Sequence, residues 1–188
     1  MRFAALLMAA AQASGGTAAA APSSSGPLSP SIATDLSNDF YPWTNVGNVL
    51  VSDNSPATTA PDPANSSNVL RVRGLGFAIP GGATINGVKV DIEAKVSALG
   101  GRINSADLAT NNLGDSSDQI GTATSGVPAT LTTSDAYYTF GGSADLWGSA
   151  LTPAIVNSAN FSVDLTMFTV SGAPTFSVDH VRVTIYYT

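Results

Sequence analysis

The chain contains no cysteine, one histidine and only two lysines among its 188 residues. Without cysteine there is no disulfide, no thiolate nucleophile and no Cys-based zinc or iron–sulfur site. A single histidine leaves no multi-histidine metal centre. Charge is scarce too: 11% of residues are Asp, Glu, Lys or Arg, against about 25% in an average globular chain. Seven basic residues stand against thirteen acidic ones, a formal charge of −6. A broad phosphate-binding surface needs clustered Lys and Arg, so nucleic acid is not an expected partner. There is no phosphate-cradling or dinucleotide glycine pattern, and no basic–aromatic interleaving. No apolar run reaches the roughly 20 residues of a membrane-spanning helix. Ser, Thr, Asn, Gly and Ala take the place of the missing charge, with 18 Gly and 11 Pro. Length fits one domain with an appendage. The composition points to a structural or binding protein and not an enzyme, with no cofactor.

The appendage is N-terminal. Met1–Ala13 (MRFAALLMAAAQA) fits two mechanisms. A secretory signal would have Arg2 as its basic start, an apolar core, and Ala11-Gln12-Ala13 as a small-x-small cleavage site. The alternative is a short helix with Phe3, Leu6, Leu7 and Ala10 at i, i+3, i+4 and i+7. Such a helix is marginal alone in water and needs a surface to lie on. We expect the docking arm in preference to the signal, with Phe3, Leu6, Leu7 and Met8 as its contact residues. Ser14–Ser31 is rich in Gly, Ala, Ser and Pro and reads as a linker. The expected organisation is therefore an arm over 1–31 and a folded domain over 32–188.

Beyond the arm the sequence alternates with period two between Gly, Pro, Asn and Asp punctuation. In Asn86–Val96, Val88, Val90, Ile92, Ala94 and Val96 face one way, and Lys89, Asp91, Glu93 and Lys95 the other. Val181, Val183, Ile185 and Tyr187 repeat the pattern against His180, Arg182, Thr184 and Tyr186. Phe161, Val163, Leu165 and Met167 form a third case. Weaker strand candidates are Gly47–Ser52, Val69–Ile79, Ile103–Thr110, Gln119–Ala123 and Tyr137–Gly141. Ile79-Pro80-Gly81-Gly82 predicts a hairpin turn, and Thr152-Pro153 a helical turn with Thr152 as its N-cap. Short strands at about 8–12-residue spacing, without a long helical segment, predict an all-β fold. We expect an antiparallel, jelly-roll-like β-sandwich of about eight strands, with an extended N-terminal arm carrying a short helix.

Four segments in order carry a family resemblance. They are Phe77-Ala78-Ile79-Pro80 leading into Gly82-Ala83-Thr84-Ile85-Asn86-Gly87-Val88-Lys89-Val90; Asp145-Leu146-Trp147-Gly148 with Leu151-Thr152; Asn160-Phe161-Ser162-Val163; and Val178-Asp179-His180-Val181-Arg182-Val183-Thr184-Ile185-Tyr186-Tyr187. Over roughly Trp43–Thr188 this resembles β-sandwich virion proteins of tailed bacteriophages. The resemblance implies a capsid decoration (cement) protein on the virion exterior, docked through its arm onto the major capsid protein or neighbouring virion proteins. It also implies a homo-oligomer, a trimer suiting threefold capsid sites. The alternative within the resemblance is a tail or neck adaptor or fibre-base module; a second alternative, outside it, is a secreted carbohydrate-binding β-sandwich whose first 13 residues are a cleaved signal. These motifs are fold-determining, so they specify architecture better than role.

Other constellations have simpler explanations. A Ser/His/Asp set can be assembled around His180, but no nucleophile-elbow motif accompanies it. Asp91 and Glu93 read as solvated charges on one strand's outer face and not as a glycosidase pair. Asp115-Ser116-Ser117-Asp118, and Asp53-Asn54 with Asp62, lack the spacing of a calcium loop, so no metal is expected. Tyr41, Trp43, Tyr137 and Tyr138 are the aromatics that could meet a partner at a sandwich rim; Tyr41 and Trp43 are the expected surface contacts.

Overall fold

The protein's computed structural model describes residues 21–36, 41–110, 119–121 and 128–188. The expected docking residues Phe3, Leu6, Leu7 and Met8, and the short helix meant to carry them, lie outside the described residues, as does the Asp115–Asp118 loop.

The described residues fold as a β-sandwich of two antiparallel sheets with five strands each. The first sheet runs β1 (Ser23–Leu28), β10 (Phe176–Tyr187), β5 (Ile85–Val96) and β8 (Ala136–Gly141), with β3 (Ala57–Thr59) also paired to β10. The second runs β2 (Ile32–Leu36), β4 (Val69–Arg73), β9 (Ser162–Thr169), β6 (Gly101–Ala109) and β7 (Ala129–Thr130). From β1 to β6 the chain changes sheet at every step, and it does so again between β8, β9 and β10. Crossing between sheets in this way is what a jelly roll requires.

The apolar positions of the period-two segments close on each other. Val88, Val90, Ile92, Val181, Val183 and Ile185 of the first sheet, and Leu70, Val72, Val163, Leu165 and Met167 of the second, are fully buried. Phe77 and Phe161 meet edge to face at 6.5 Å in the same core. The N-cap expectation also holds: Thr152 Oγ1 accepts from Ile155 N at 3.3 Å and opens a one-turn helix, α1 (Pro153–Val156).

Three local expectations are corrected. Residues 23–28, read as linker, form strand β1 along the C-terminal half of β10, with Ser23 opposite Tyr187 and Ser25 opposite Ile185. Gly47–Ser52 is not a strand: Val46–Val49 is a single 3-10 turn, entered through Asn45 in the left-handed region at φ 56°. The Pro80 turn does not join a hairpin. β4 ends at Arg73 in the second sheet, Ala83 N–H bonds Pro80 O, and β5 begins in the first sheet. That segment is a crossover whose Leu75, Phe77 and Ile79 are buried in the core.

Candidate functional site

The outer face of the first sheet carries polar and charged side chains in rows, because its strands alternate in register. His180 of β10 pairs with Glu93 of β5, and Glu93 with Tyr137 of β8. Two residues along, Arg182, Asp91 and Thr139 form the next row, followed by Thr184, Lys89 and Gly141. A bulge at Asp179 puts His180 in this register, the kind of device that re-aims a side chain within a ladder. Asp179 Oδ2 accepts from Asn54 N–H at 3.0 Å, and Leu50 bridges to His180. The segment after the 3-10 turn is thereby held against β10.

Tyr137 and His180 organise the face. The Tyr137 hydroxyl lies 3.0 Å from His180 Nδ1. Their strands are separated by β5, and each strand spacing is about 4.8 Å, so the phenol lies along the sheet and does not stand up from it. The Arg182 guanidinium carbon is 4.1 Å from the Tyr137 ring centroid, within the range of a cation–π contact. His180 Nε2 meets Ser29 Oγ at 2.8 Å, just beyond β1. Tyr137 keeps 37% of its surface open, whereas His180 keeps 7%.

Asp91 ties the second row together. Its Oδ1 accepts from Thr139 Oγ1 at 2.7 Å, and its Oδ2 takes both Arg182 Nε at 3.2 Å and Lys89 Nζ at 3.0 Å. Burial opposes ionisation of this carboxyl. The bonds from Thr139 and Lys89, with the charges of Lys89 and Arg182, outweigh it and hold the group below the usual carboxylate range. The expectation that Asp91 is a solvated surface charge is therefore corrected. Arg182 from β10, Lys89 from its own strand and Thr139 from β8 close on it, and it is 3% exposed.

Burial, helped by the charge of Arg182, holds His180 below its ordinary value of 6.5 against the raising effects of Glu93 and Asp179. The imidazole is thus neutral at pH 7, donating through one nitrogen and accepting through the other. The unfolded chain binds a proton near pH 6.5 that the folded chain refuses. Stability should therefore fall as pH drops from 6.5 toward the lower folded value, by at most about 1.4 kcal/mol per pH unit. Urea denaturation at pH 7.5, 6.5 and 5.5 should show this slope, and His180→Gln should flatten it. An equal slope in the variant would mean that another group carries the titration.

The outer face of the second sheet holds a different cluster. Arg71 donates Nε to Asp164 Oδ1 at 2.7 Å and Nη2 to Asp164 Oδ2 at 2.6 Å, across β4 and β9. Asp107 on β6 stands opposite Asp164. Burial, with Asp164's charge beside it, raises the Asp107 carboxyl above the usual range, against a lowering bond from Ser105. Arg71 is 1% exposed, and Asp164 and Asp107 are buried, so the cluster is a structural tie.

Of the aromatics singled out in the sequence, Trp43 is buried, with Nε1 donating to Asn68 O at 2.9 Å. It is a core residue and not a surface contact. Tyr41 is half-buried and donates its hydroxyl to Asp62 Oδ2 at 3.0 Å. Asp53 Oδ1 accepts from Ser55 N–H within its own turn, whereas Asp62 ties its turn to Tyr41. Among the described residues no group of three or more His, Asp or Glu side chains is placed to hold a metal ion. The residues that meet at the site are Tyr137, His180, Arg182, Asp91, Thr139, Lys89 and Ser29. The sequence marked Tyr137 and His180 separately; Ser29 and Thr139 carried no signal.

No family model and no curated protein matches the chain. Solved structures with a similar outline include a xylan-binding domain from Paenibacillus barcinonensis. It is 8% identical, with 86% of this chain and 97% of that one covered, at a TM-score of 0.38. The N-terminal cellulose-binding domain of a Cellulomonas fimi β-1,4-glucanase is 12% identical, covering 85% and 96%, at 0.36. A family 29 carbohydrate-binding module from Piromyces equi is 8% identical, covering 87% and 91%, at 0.35. These likenesses are of general outline and do not extend to residues. All three are carbohydrate-binding modules and none is a virion protein, so the expectation of a bacteriophage capsid or tail protein finds no support among them and is not carried forward.

Proposed function

We propose that this protein is a non-catalytic carbohydrate-binding β-sandwich whose binding face is the outer surface of the first sheet, centred on Tyr137. The observation that carries this reading is the fixed, partly open Tyr137 ring among paired donors and acceptors. A sugar ring presents C–H groups on its faces and hydroxyls around its rim, each hydroxyl able to donate and accept. A suitable surface needs an aromatic plate with hydrogen-bonding side chains beside it. Tyr137 is pinned by His180 and Arg182, and Asp91 pins Thr139, Lys89 and Arg182. Little side-chain freedom remains to be lost on binding, which favours affinity. The two positive side chains, Lys89 and Arg182, balance the two carboxylates, Asp91 and Glu93, which suits a neutral glycan.

Affinity electrophoresis in gels containing soluble xylan or hydroxyethylcellulose tests this directly. The protein should be retarded by at least one of these neutral polysaccharides. Tyr137→Ala should weaken binding by roughly 30-fold or more, as expected on truncating an aromatic anchor. Tyr137→Phe should retain much of the binding, because the ring remains. No retardation of the wild type, or equal retardation of Tyr137→Ala, would overturn the assignment.

A further inference from the structure

One row beyond Tyr137 the outer face of the first sheet ends in a depression of about 240 Å³, lined by Lys95, Val96, Ser97, Thr133, Thr175 and Ser177. That is below the roughly 300–1,000 Å³ of pockets for drug-sized ligands, and suits one small ring. Ser97 N–H donates to Thr175 O, and Thr175 N–H donates to Ser97 Oγ, stitching the strand ends together at the depression. Ser177 pairs with Lys95 in the ladder. The Lys95 ammonium is 2.6 Å from Asp135 Oδ2.

We infer that this depression is a subsite for the terminal sugar ring of a glycan chain whose next units lie on Tyr137. The inference rests on the carbohydrate reading of the neighbouring face and adds what kind of chain that face takes. Four hydroxyl side chains line the depression with Lys95, whose ammonium keeps Asp135 beside it, so the lining both donates and accepts at short range. The ammonium and the carboxylate are separated by about the distance between hydrogen-bonded oxygens. Adjacent hydroxyls of one sugar ring can therefore meet both, one accepting from Lys95 and the other donating to Asp135. The pair cancels its own charge, so the subsite prefers neutral sugars to uronates. Lys95 is two residues from Glu93 along β5, about 7 Å, close enough for one chain to span depression and aromatic ring. A site of this form recognises chain ends, whereas an open platform alone recognises any stretch of chain.

The test uses competition and one spectroscopic measurement on the full chain. A polysaccharide that retards the protein is shortened enzymatically, and each digest competes at equal total sugar. End recognition makes potency per sugar rise as chains shorten toward a few units. Ser177→Phe, which fills the depression from an outward strand position, should lose that rise while still binding the polymer. Xylose or glucose, added to isotope-labelled protein, should shift the backbone amide signals of Lys95, Ser97, Thr133 and Ser177 before those of β1. Potency that is flat or falling with shortening, together with unshifted amides at these residues, would overturn the inference while leaving polymer binding intact. A wild type that binds no polysaccharide and no monosaccharide would overturn both readings.

Discussion

Replacing Arg71 with methionine is expected to lower the unfolding free energy by about 3–5 kcal/mol, the usual consequence of removing one partner from a buried ion pair. The guanidinium is 1% exposed and holds Asp164 through two parallel bonds of 2.7 and 2.6 Å. Without it, the Asp164 carboxylate remains buried beside Asp107, a second acid already driven toward its neutral form by burial. The double variant Arg71→Met with Asp164→Leu should recover most of the loss, since replacing a whole buried pair with apolar side chains is often near neutral. Urea denaturation of the wild type, both single variants and the double variant supplies the cycle. A loss below about 1 kcal/mol for Arg71→Met, or no coupling with Asp164, would show that the pair is not a tie. Against a total stability of about 5–15 kcal/mol for a domain, the expected loss decides whether the protein stays folded at physiological temperature.

The same cluster shows which parts of the molecule were legible in the sequence. β5, β9 and β10 announce themselves, because each puts apolar side chains on one face and polar ones on the other, and period two records that directly; that much of the polar face is also buried, as at Asp91, Asp164 and His180, the alternation does not record. β1 does not. Its residues, Ser-Ser-Ser-Gly-Pro-Leu, bury almost nothing, and the strand is held by backbone pairing along the edge of β10. Its composition is therefore that of a linker. Residues 74–80 show the converse: Leu75, Phe77 and Ile79 alternate like a strand and are buried like one, but they cross between sheets without a ladder partner. Alternation reports burial, and pairing is a separate fact.

The site was less legible than the fold for a related reason. Tyr137 and His180 are 43 positions apart, and Ser29 and His180 are 151 apart. Their meeting depends on β8, β5 and β10 lying side by side in that order, which no local pattern encodes. Asp91 looks like an ordinary outward-facing acid until β8 brings Thr139 and β10 brings Arg182 against it. Trp43 failed in the opposite sense, since a tryptophan near a domain's start reads as a surface anchor. Here its indole reaches Asn68 O and closes the core.

Trp147 gives the other large effect. Its ring is 2% exposed, and its Nε1 donates to Val88 O at 2.9 Å, across the end of the sandwich. Its backbone nevertheless sits in the left-handed region at φ 57°, followed by Gly148 at 64°, where a bulky side chain is a genuine outlier. Asp145 Oδ1 accepts from Trp147 N–H at 2.8 Å and helps to hold this conformation. Gly141 lies against the indole; a side chain there would collide with Val88 O and the ring itself. Trp147→Ala should therefore cost about 3–5 kcal/mol, as for other buried aromatic truncations. Trp147→Phe should cost less, because the ring space stays partly filled and Val88 O still accepts from Gly142 N–H. The sharper expectation concerns order. Alanine keeps the left-handed strain of about 1–2 kcal/mol, whereas glycine relieves it; the greater freedom of glycine in the unfolded chain offsets about 0.4–1 kcal/mol of that. Trp147→Gly should thus be more stable than Trp147→Ala, by about 0.5–1 kcal/mol, the reverse of the usual order. Thermal and urea unfolding of the three variants under one condition decides it. An alanine variant as stable as the glycine variant would mean that the turn relaxes once the indole is gone, so that the indole and not the Asp145 bond sets its geometry.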